Sequence, residues 1–456
     1  MKRPNLLIIH TDQQALNTIG AYHGTEVETT YTDEIAKTGV TFEHFYTPSA
    51  VCTPSRGCLM TGRYPHCNGA FRNDECFNDD EITIAQMLKD EGYSTGYVGK
   101  WHLNGADSPG WVPEKDSKGF TDCKYMANGG HQKKVIDVGE EHPIFSYDIG
   151  DEKTYMTDWV CDRAVEFLDR QEDEKPFFLM IGIPDPHAPY KVRAPYDTMY
   201  PPEDVVVPET FWENPIPDWA ESDTWGRHQA LPMYLKDREQ KFRQMKSQYL
   251  GEVKCIDDNI KKILDKLEAM GVREDTVLVF TSDHGDYMGE HGMLHKNNLY
   301  ESAYHIPLIV SYPAKLKQGV RINKFVNIVD FVPTMLSLME VKPCGREQGM
   351  DVTSLMYGET MDYEEEIYLH PNDVPRTGII TPDYELAYVG DGWKEGTVFS
   401  DHIMFDMKKD PLQVHNVFDD PAYQGIKEEL TKKIIAHHKK YGTDFKVLPE
   451  VLWKYE

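Results

Sequence analysis

The chain has 456 residues, of which 40% are hydrophobic, and its 48 Lys and Arg against 76 Asp and Glu give a formal net charge of −28. This hydrophobic content excludes a disordered chain, and the length allows one large α/β domain with a smaller appendage. The negative charge excludes a general footprint for nucleic acid or for an anionic membrane surface. An anionic substrate would have to be drawn by a local cluster of basic residues.

The eight cysteines occur singly and without a CxxC pair, which predicts reduced and mostly buried thiols rather than a disulfide framework or a zinc site. Asp12 interrupts the N-terminal apolar run, which makes that run too short for a signal peptide. No later segment approaches the ~18 apolar residues of a membrane span. We therefore expect a cytoplasmic protein with no membrane partner.

Short apolar runs alternate with polar loops and helical stretches, a pattern typical of a mostly parallel sheet with helices on both faces. The runs that predict strands are residues 5–10, 97–99 with the residues before them, 176–183, 276–281 and 306–312. Helices are predicted over 80–91 and 235–270, and the second carries one apolar stripe at spacings of three and four residues.

Two stretches interrupt this pattern. Residues 184–217 contain nine prolines, which excludes a helix or a central strand and predicts a long irregular excursion, either a binding loop or a surface covering. Residues 344–366 are rich in glycine and acidic residues and mark a domain boundary. We assign 1–360 to a catalytic α/β domain and 361–456 to a smaller α+β domain, with strands near 366–370 and 384–389 and a closing helix over 423–440.

Polar residues come shortly after the carboxyl ends of four of the predicted strands. In open parallel sheets, ligands bind outside the carboxyl ends of the strands. These positions hold Asp12 and Gln13, Lys100 and His102, His187, and Asp283 with His284, and Lys296 lies beyond the last of them. Because such ends meet at one edge of the sheet, we expect the side chains to form one site.

This set divides by chemistry into two halves. Asp12, Gln13 and Asp283 offer hard oxygen ligands that suit Ca²⁺ or Mg²⁺, and His284 is a softer donor that also suits a transition metal. The two lysines and the other two histidines have the wrong charge for a metal cage. They suit the oxygens of a tetrahedral anion and the movement of protons around it. The sequence therefore predicts a sulfate or phosphate ester site.

Cys52 is the candidate nucleophile. It precedes a predicted helix in which Pro54 suits the first turn and Gly62 suits the C-terminal end. The positive potential of a helix N-terminus, with Arg56 one turn away, would raise the reactivity of the thiol, and we expect a surface nucleophile. The alternative is a buried structural thiol, which is the commoner fate of a lone cysteine.

The segment Cys52-x-Pro54-Ser55-Arg56, followed by Thr61-Gly62-Arg63, resembles the signature of the type I sulfatases of the alkaline phosphatase superfamily. In that family a dedicated maturing enzyme converts the motif cysteine to Cα-formylglycine. The match extends over nearly the whole chain, through the strand-end residues above to Phe405-Asp406-Met407. It implies an alkaline-phosphatase-like α/β domain and a small C-terminal domain with a four-stranded antiparallel sheet and a helix.

The resemblance implies that formylglycine at position 52 is hydrated to a diol, one hydroxyl of which attacks the sulfur of a sulfate ester. Asp283 would accept the proton of that hydroxyl, and Arg56 would stabilise the diol. The family also uses a divalent cation, Ca²⁺ or Mg²⁺. Its implied ligands are Asp12, Gln13, Cys52, Asp283 and His284.

The remaining roles follow from the same resemblance. Lys100 and Lys296 would bind the sulfuryl group, and His187 would protonate the leaving alcohol and contact the substrate. His102 would deprotonate the second hydroxyl, which expels sulfate and restores the aldehyde. A plain Ser or Cys could not take this last step, because water would then have to attack the sulfur of a stable sulfo-enzyme.

Two positions depart from the common family pattern. Gln13 stands where many members have a second Asp, and His284 stands where Asn is frequent. Together these residues remove one carboxylate and introduce a nitrogen donor, so the identity of the metal stays open.

Two other functions compete with that of a sulfatase. The first is a phosphonate monoester or phosphodiester hydrolase of the same superfamily, which shares the Asp-Gln pair but tends to carry hydroxyl residues in place of Lys100 and His102. The second is an inactive homologue that binds sulfated ligands. Because no site residue is missing from the sequence, the second function is disfavoured.

Among sulfatases the chain looks closest to bacterial enzymes acting on sulfated sugars, including glycosaminoglycan fragments. We expect imported mono- or oligosaccharides rather than long polymers, because no secretion signal is visible. Asn73 follows the signature helix and is a candidate for binding sugar hydroxyls, although a solvated turn explains it equally well. The sugar position, exo or endo action and the oligomeric state stay open.

Overall fold

The structure is a computed structural model that describes residues 3–106, 110–139, 142–172, 175–213, 237–297, 299–372, 375–390 and 402–455. Residues 214–217 of the proline-rich stretch and residues 235–236 of the predicted long helix lie outside these ranges. Within them, no helix combines the length and the apolar content needed to cross a membrane.

The described residues form strands and helices that are mixed along the chain. The strands are β1 (Asn5–Thr11), β2 (Val40–Tyr46), β3 (Ser94–Lys100), β4 (Asp122–Ala127), β5 (Lys134–Ile136), β6 (Ile144–Ser146), β7 (Phe177–Ile183), β8 (Thr276–Ser282), β9 (His305–Ser311), β10 (Val320–Asn327), β11 (Ile367–Leu369), β12 (Arg376–Ile380), β13 (Tyr384–Val389) and β14 (Ile403–Asp406). The helices are α1 (Thr30–Lys37), α2 (Cys52–Thr61), α3 (Pro65–Asn68), α4 (Ile84–Asp90), α5 (Met156–Asp169), α6 (Arg238–Ala269), α7 (Glu301–Tyr304), α8 (Phe331–Leu338), α9 (Thr353–Met356) and α10 (Gln424–Lys440).

The central sheet has eight strands in the order β10-β2-β9-β8-β1-β7-β3-β4. Neighbouring strands are parallel except for β9, which runs antiparallel to both β2 and β8. The predicted fold class, a mostly parallel sheet flanked by helices with a short antiparallel sheet beyond it, is confirmed. The direction of β9 could not be predicted, because a fully buried strand shows the same continuous apolar run in either direction.

All five predicted strands of this sheet are present as β1, β3, β7, β8 and β9. The predicted helix over 80–91 begins later, at Ile84, because the Thr83 side chain accepts a hydrogen bond from the Gln86 backbone and forms a capping box with it. The described part of the proline-rich stretch contains only short 3₁₀ turns, as its composition predicts.

Both faces of the sheet are buried. Every residue of β1 is buried, with Leu6 and Ile8 in the core on one face and Leu7 and Ile9 in the core on the other. This two-sided burial explains why the strands read as unbroken apolar runs rather than as an alternation. Because β1, β3, β7 and β8 are parallel, the polar residues that follow them lie at the same edge of the sheet.

The small sheet has the antiparallel order β11-β12-β13-β14. One of its faces packs through Ile379, Leu386 and Met404 against Ile434 of α10, and the other packs through Ile380 and Ala387 in a cluster that includes residues of the central domain. The domain boundary at residue 360 stays a prediction.

Two glycines face each other on strands β3 and β7 where these strands approach the site. Gly99, with a φ of 94°, is paired with Gly182, and a Cβ built at Gly99 would lie 2.0 Å from the Gly182 carbonyl oxygen. The backbone immediately before Lys100 therefore requires glycine for both its conformation and its packing.

We predict that Gly99→Ala lowers the midpoint of thermal unfolding more than Gly92→Ala does. Gly92 has a similar φ of 90°, but a Cβ there meets no described atom within 4 Å. Gly92→Ala should therefore cost only the conformational penalty, about 1 kcal/mol, whereas Gly99→Ala adds a backbone clash of about 1–3 kcal/mol. Scanning fluorimetry of both variants measures the difference, and equal midpoints would contradict the close packing.

Candidate active site

Cys52 is the first residue of α2, and Gly62 ends that helix in the left-handed region at a φ of 65°. The expectation of a surface nucleophile is wrong, because Cys52 is only 1% exposed and every residue of α2 is buried. The helix N-terminus opens onto a polar cluster inside the protein rather than onto solvent. All eight cysteines are free thiols and five of them are buried, as the sequence predicts.

Four polar groups surround the Cys52 sulfur. Its Sγ lies 3.2 Å from Lys296 Nζ, 3.6 Å from Lys100 Nζ, 3.3 Å from His284 Nε2 and 3.7 Å from Asp12 Oδ1. Burial and the charge of Asp12 raise the pKa of the thiol, but the two lysines outweigh them and hold it well below its ordinary value. The cluster thus stabilises negative charge at position 52.

Four side chains offer ligand atoms that lie within 4.8 Å of one another, namely those of Asp12, Cys52, Asp283 and His284. The ring nitrogen Nδ1 of His284 lies 2.9 Å from the Gly285 carbonyl oxygen, a contact that makes Nδ1 the protonated nitrogen and leaves the lone pair of Nε2 facing the cluster. Two buried carboxylates and a correctly oriented imidazole fit a divalent cation.

Arg56 joins the two carboxylates of this group. Its Nε donates to Asp283 Oδ2 at 2.9 Å, its Nη2 donates to Asp12 Oδ2 at 3.0 Å, and its Nη1 donates to the Lys100 carbonyl oxygen at 2.8 Å. Burial and Asp12 raise the pKa of Asp283, but His284 and Arg56 outweigh them and lower it to about 2. Asp283 therefore stays ionised, which suits a metal ligand, and its implied second role as proton acceptor stays a prediction.

Gln13 is oriented by residues that the sequence did not indicate. Its Nε2 donates to Asp286 Oδ2 at 2.6 Å and to Tyr190 Oη at 3.3 Å, while its Oε1 accepts from Lys296 Nζ at 2.8 Å. The amide oxygen is thereby directed to the side on which Lys296 meets the Cys52 sulfur. The φ of Gln13 is 62°, a strained value for a residue with a side chain, and such strain is typical of functional sites.

The anion-binding half contains a histidine that the sequence analysis missed. His131 Nε2 lies 2.6 Å from Lys100 Nζ, and Lys100 also pairs with Asp12. The His131 ring stacks on that of His187 at a centroid distance of 3.9 Å. His131 follows the end of strand β4, as the other site residues follow the ends of their strands. Strand β4 was not predicted, because it contains exposed polar residues. Had that strand been predicted, the residues after it would have pointed to His131.

Both stacked imidazoles are neutral at pH 7. Burial lowers the pKa of His187 well below its ordinary value and lowers that of His131 to about 4. A neutral ring can accept a hydrogen bond from the Lys100 ammonium, as His131 does. A bound anion would favour the protonated form of either ring.

His102 and Asn73 lie at the start of α2. His102 Nε2 is 3.2 Å from Asp74 Oδ1, and the His102 carbonyl oxygen accepts from Thr53 Oγ1 at 2.8 Å. Asn73 Oδ1 accepts from the Thr53 backbone N–H at 3.1 Å and so caps the helix. This cap gives Asn73 a structural role, and its binding of sugar hydroxyls stays a prediction.

The profile of the Sulfatase family matches residues 4–341, and that of the N-sulphoglucosamine sulphohydrolase C-terminal region matches residues 289–440. An N-acetylglucosamine-6-O-sulfatase of Bacteroides thetaiotaomicron is 28% identical over 96% of this chain and 87% of its own. A structure solved with its substrate D-glucosamine-2-N,6-O-disulfate aligns with a TM-score of 0.80 at 24% identity, over 97% of this chain and 99% of that chain. A phosphonate monoester hydrolase of Agrobacterium radiobacter aligns with a TM-score of 0.76 at 19% identity, over 96% of both chains.

We predict that Ca²⁺ or Mg²⁺ raises the midpoint of thermal unfolding of chelator-treated protein. A ligand that binds only the folded state at a hundredfold excess over its Kd stabilises that state by about 2.7 kcal/mol. Asp283→Asn should abolish the shift, because it removes one of the two carboxylates. Asp330→Asn is the matched control, since that buried carboxylate accepts hydrogen bonds from the backbone of Asn327 and Met350 instead.

A shift with Mn²⁺ or Zn²⁺ alone would mean that His284 sets the metal preference, and His284→Asn should then move the preference to Ca²⁺. If none of the four cations shifts the midpoint, the assignment of this group as a metal site is wrong.

Proposed function

The chain belongs to the sulfatase family and is a sulfuric ester hydrolase, and we propose that it removes sulfate from a small sulfated sugar by means of a formylglycine formed at Cys52. The observation that carries the proposal is the position of Cys52, at the buried N-terminus of α2 between two lysines and a group suited to a metal. The sulfated sugar is proposed from the 28% identical relative that is an N-acetylglucosamine-6-O-sulfatase.

Formation of formylglycine would replace the CH₂–SH group of Cys52 with an aldehyde. The sulfur leaves as sulfide, water supplies the aldehyde oxygen, and a maturing enzyme supplies the oxidant that takes up two electrons. The hydrated aldehyde would then carry its oxygens where the thiol sulfur now lies, within reach of Lys100, Lys296 and His284.

Asp12, Gln13, Asp283 and His284 would hold Ca²⁺ or Mg²⁺ together with the side chain at position 52. When bound, the cation supplies positive charge that polarises an oxygen at position 52 and offsets the charge of the sulfate group. Arg56 fixes both carboxylates from the opposite side, so the ligands need little rearrangement on binding.

Lys100 and Lys296 would bind the oxygens of the sulfuryl group. Their ammonium groups lie 3.6 and 3.2 Å from the Cys52 sulfur, close enough to contact a sulfate group that is attacked from position 52. Both are fully or almost fully buried, so their charges are weakly screened by solvent. Such fixed cations stabilise charge that develops in the transition state without reorganisation.

His187 and His102 would move the protons. His187 would gain its proton when the anionic ester binds beside it and donate that proton to the leaving alcohol. The Nε2–H of His102 faces the Asp74 carboxylate, and within the described residues its buried Nδ1 has no hydrogen-bond partner. An imidazole oriented in this way by a carboxylate can accept a proton at the free nitrogen, as removal of the second hydroxyl proton requires.

The competing functions differ from this proposal at identifiable residues. The shared fold of the phosphonate monoester hydrolase does not choose between the esters, but Lys100 and His102 stand where such hydrolases tend to carry hydroxyl residues. An inactive sulfate-binding homologue is disfavoured because every implied catalytic residue is present in the sequence, and the ammonium groups of Lys100 and Lys296 both contact the Cys52 sulfur.

We predict that Cys52→Ala lowers sulfate release by more than about a hundredfold, because loss of a nucleophile commonly costs several decades of rate. Cys58→Ala is the matched control: this thiol lies in the same helix, is fully buried and has a pKa raised by burial. It should leave the rate nearly unchanged. Mass spectrometry of the Cys52 peptide from the active enzyme should show the aldehyde, and an active enzyme with an intact thiol would contradict the mechanism.

We also predict that kcat/KM for a sugar or aryl sulfate exceeds that for the matching phosphodiester by at least about a hundredfold, or about 2.7 kcal/mol. A phosphodiester carries a second substituent that must fit where Lys100 and His102 project. Replacing Lys100 and His102 with Ser and Thr should shrink the ratio, mainly by loss of sulfatase activity. A wild type that prefers the phosphodiester, or a ratio that ignores the double substitution, would favour the rival hydrolase.

A further inference from the structure

Lys133 is a fully buried cation that contacts two buried carboxyl groups. Its Nζ lies 2.5 Å from Asp185 Oδ1 and 2.8 Å from Glu252 Oε1, and it also donates to the His187 carbonyl oxygen at 3.3 Å. Burying charged groups carries a large desolvation cost, so such a cluster is weak evidence for a role in stability alone. Its contacts instead connect the chain segments that carry His131 and His187.

The cluster connects the two segments that carry the stacked imidazoles. Lys133 follows His131 by two residues, and Asp185 precedes His187 by two residues. The backbone carbonyl of Asp185 accepts from the Asp12 N–H at 3.2 Å, so the same segment is also tied to the end of β1.

The second oxygen of Asp185 and the Glu252 carboxyl anchor these segments to helices. Asp185 Oδ2 accepts from Tyr155 Oη at 2.7 Å and from Thr157 Oγ1 at 2.6 Å, both at the start of α5. Glu252, on α6, accepts from the Lys191 backbone N–H at 2.8 Å. Through Asp185 and Glu252, the Lys133 ammonium thus connects the chain segments that carry His131 and His187 with helices α5 and α6.

We propose that Lys133, together with Asp185 and Glu252, is a positioning residue that holds the His131–His187 pair so that His187 reaches the leaving-group oxygen. The inference rests on the proposed function, in which His187 protonates the leaving alcohol. Lys133 is not itself a catalytic residue, because its ammonium is fully buried among these partners and no substrate can reach it.

The charges of the cluster indicate which substitutions preserve it. Burial raises the pKa of Glu252 well above its ordinary value, and the attraction of Lys133 does not offset this. Glu252 therefore binds a proton more readily than an exposed carboxyl group, and Asp185, at 2.5 Å, is the nearer of the two partners of Lys133. Glu252→Gln keeps an acceptor oxygen for Lys133 and leaves its ion pair with Asp185 in place, whereas Lys133→Met leaves Asp185 buried without its cation.

The leaving group separates a positioning role from a structural one. An alkoxide leaving from a sugar sulfate needs a proton, and general acid catalysis contributes about 10²–10⁴ in rate, whereas 4-nitrophenolate leaves without one. Lys133→Met should therefore lower kcat for the sugar sulfate at least about tenfold more than kcat for 4-nitrophenyl sulfate. Glu252→Gln should keep the wild-type ratio of the two rates.

Two further variants complete the experiment. In a His187→Ala background, Lys133→Met should not lower the ratio of kcat for the sugar sulfate to kcat for 4-nitrophenyl sulfate any further. Both changes act on the same step, the protonation of the leaving group. Lys246→Met is the control, because Lys246 is a buried lysine on the same helix as Glu252 whose partner is Glu26. Equal losses on both substrates with Lys133→Met, or a ratio that stays at the wild-type value, would overturn the proposal.

A crystal structure of the Lys133→Met variant provides a readout that does not require activity. The His131 and His187 rings should lose the stacked arrangement that they have at 3.9 Å, and an unchanged pair would overturn the inference. If Lys133→Met does not fold, Asp185→Asn weakens the same ion pair and takes its place. A wild type that cleaves neither sulfate would instead refute the proposed function, while the crystal structure would still decide on the positioning role.

Discussion

The buried contact of Arg56 with Asp12 and Asp283 is the interaction on which the rest of the site depends. Two carboxylates in a water-excluded interior repel each other and would be protonated without a compensating cation. Arg56 provides that cation from α2, and its third contact, to the Lys100 carbonyl oxygen, fixes the end of β3 to the same helix. One guanidinium thus holds the ends of β1, β3 and β8 around the N-terminus of α2.

The charge around Cys52 explains why a modified residue and an anionic substrate suit this position. In the unmodified chain Lys100 and Lys296 lower the pKa of the thiol and so favour an anion at this position. Formylglycine would remove that anion, and a divalent cation would add further positive charge. The matured site would then have an excess of positive charge that a sulfate ester offsets, although the protein as a whole carries a formal charge of −28.

The sequence could predict the parts of the site that depend on local rules. Asp12, Lys100 and Asp283 follow buried strands, so the convergence of strand ends places them together, and Pro54 with Gly62 bounds α2. The burial of Cys52 could not be predicted, because α2 is enclosed on all sides although its sequence is partly polar. The contacts of Lys133 were likewise invisible, since its partners lie 52 and 119 residues away in the chain.

Several residues at and beside the site have a strained backbone conformation, and side-chain hydrogen bonds stabilise it. Gln13, His102 and His295 have φ values of 62°, 58° and 66°, conformations that are costly for residues with a side chain. Asp286 accepts hydrogen bonds from the Gln13 amide and from the His295 backbone, and Asp74 pairs with His102.

The proposed sulfatase mechanism requires the site around position 52 to bind a cation and an anion together. A crystal structure of the matured protein grown with Ca²⁺ and sulfate tests that claim most directly. We expect formylglycine at position 52, a cation on Asp12 and Asp283, and a sulfate within hydrogen-bond distance of both Lys100 and Lys296. An intact Cys52, or a cation and sulfate bound by other residues, would contradict the account.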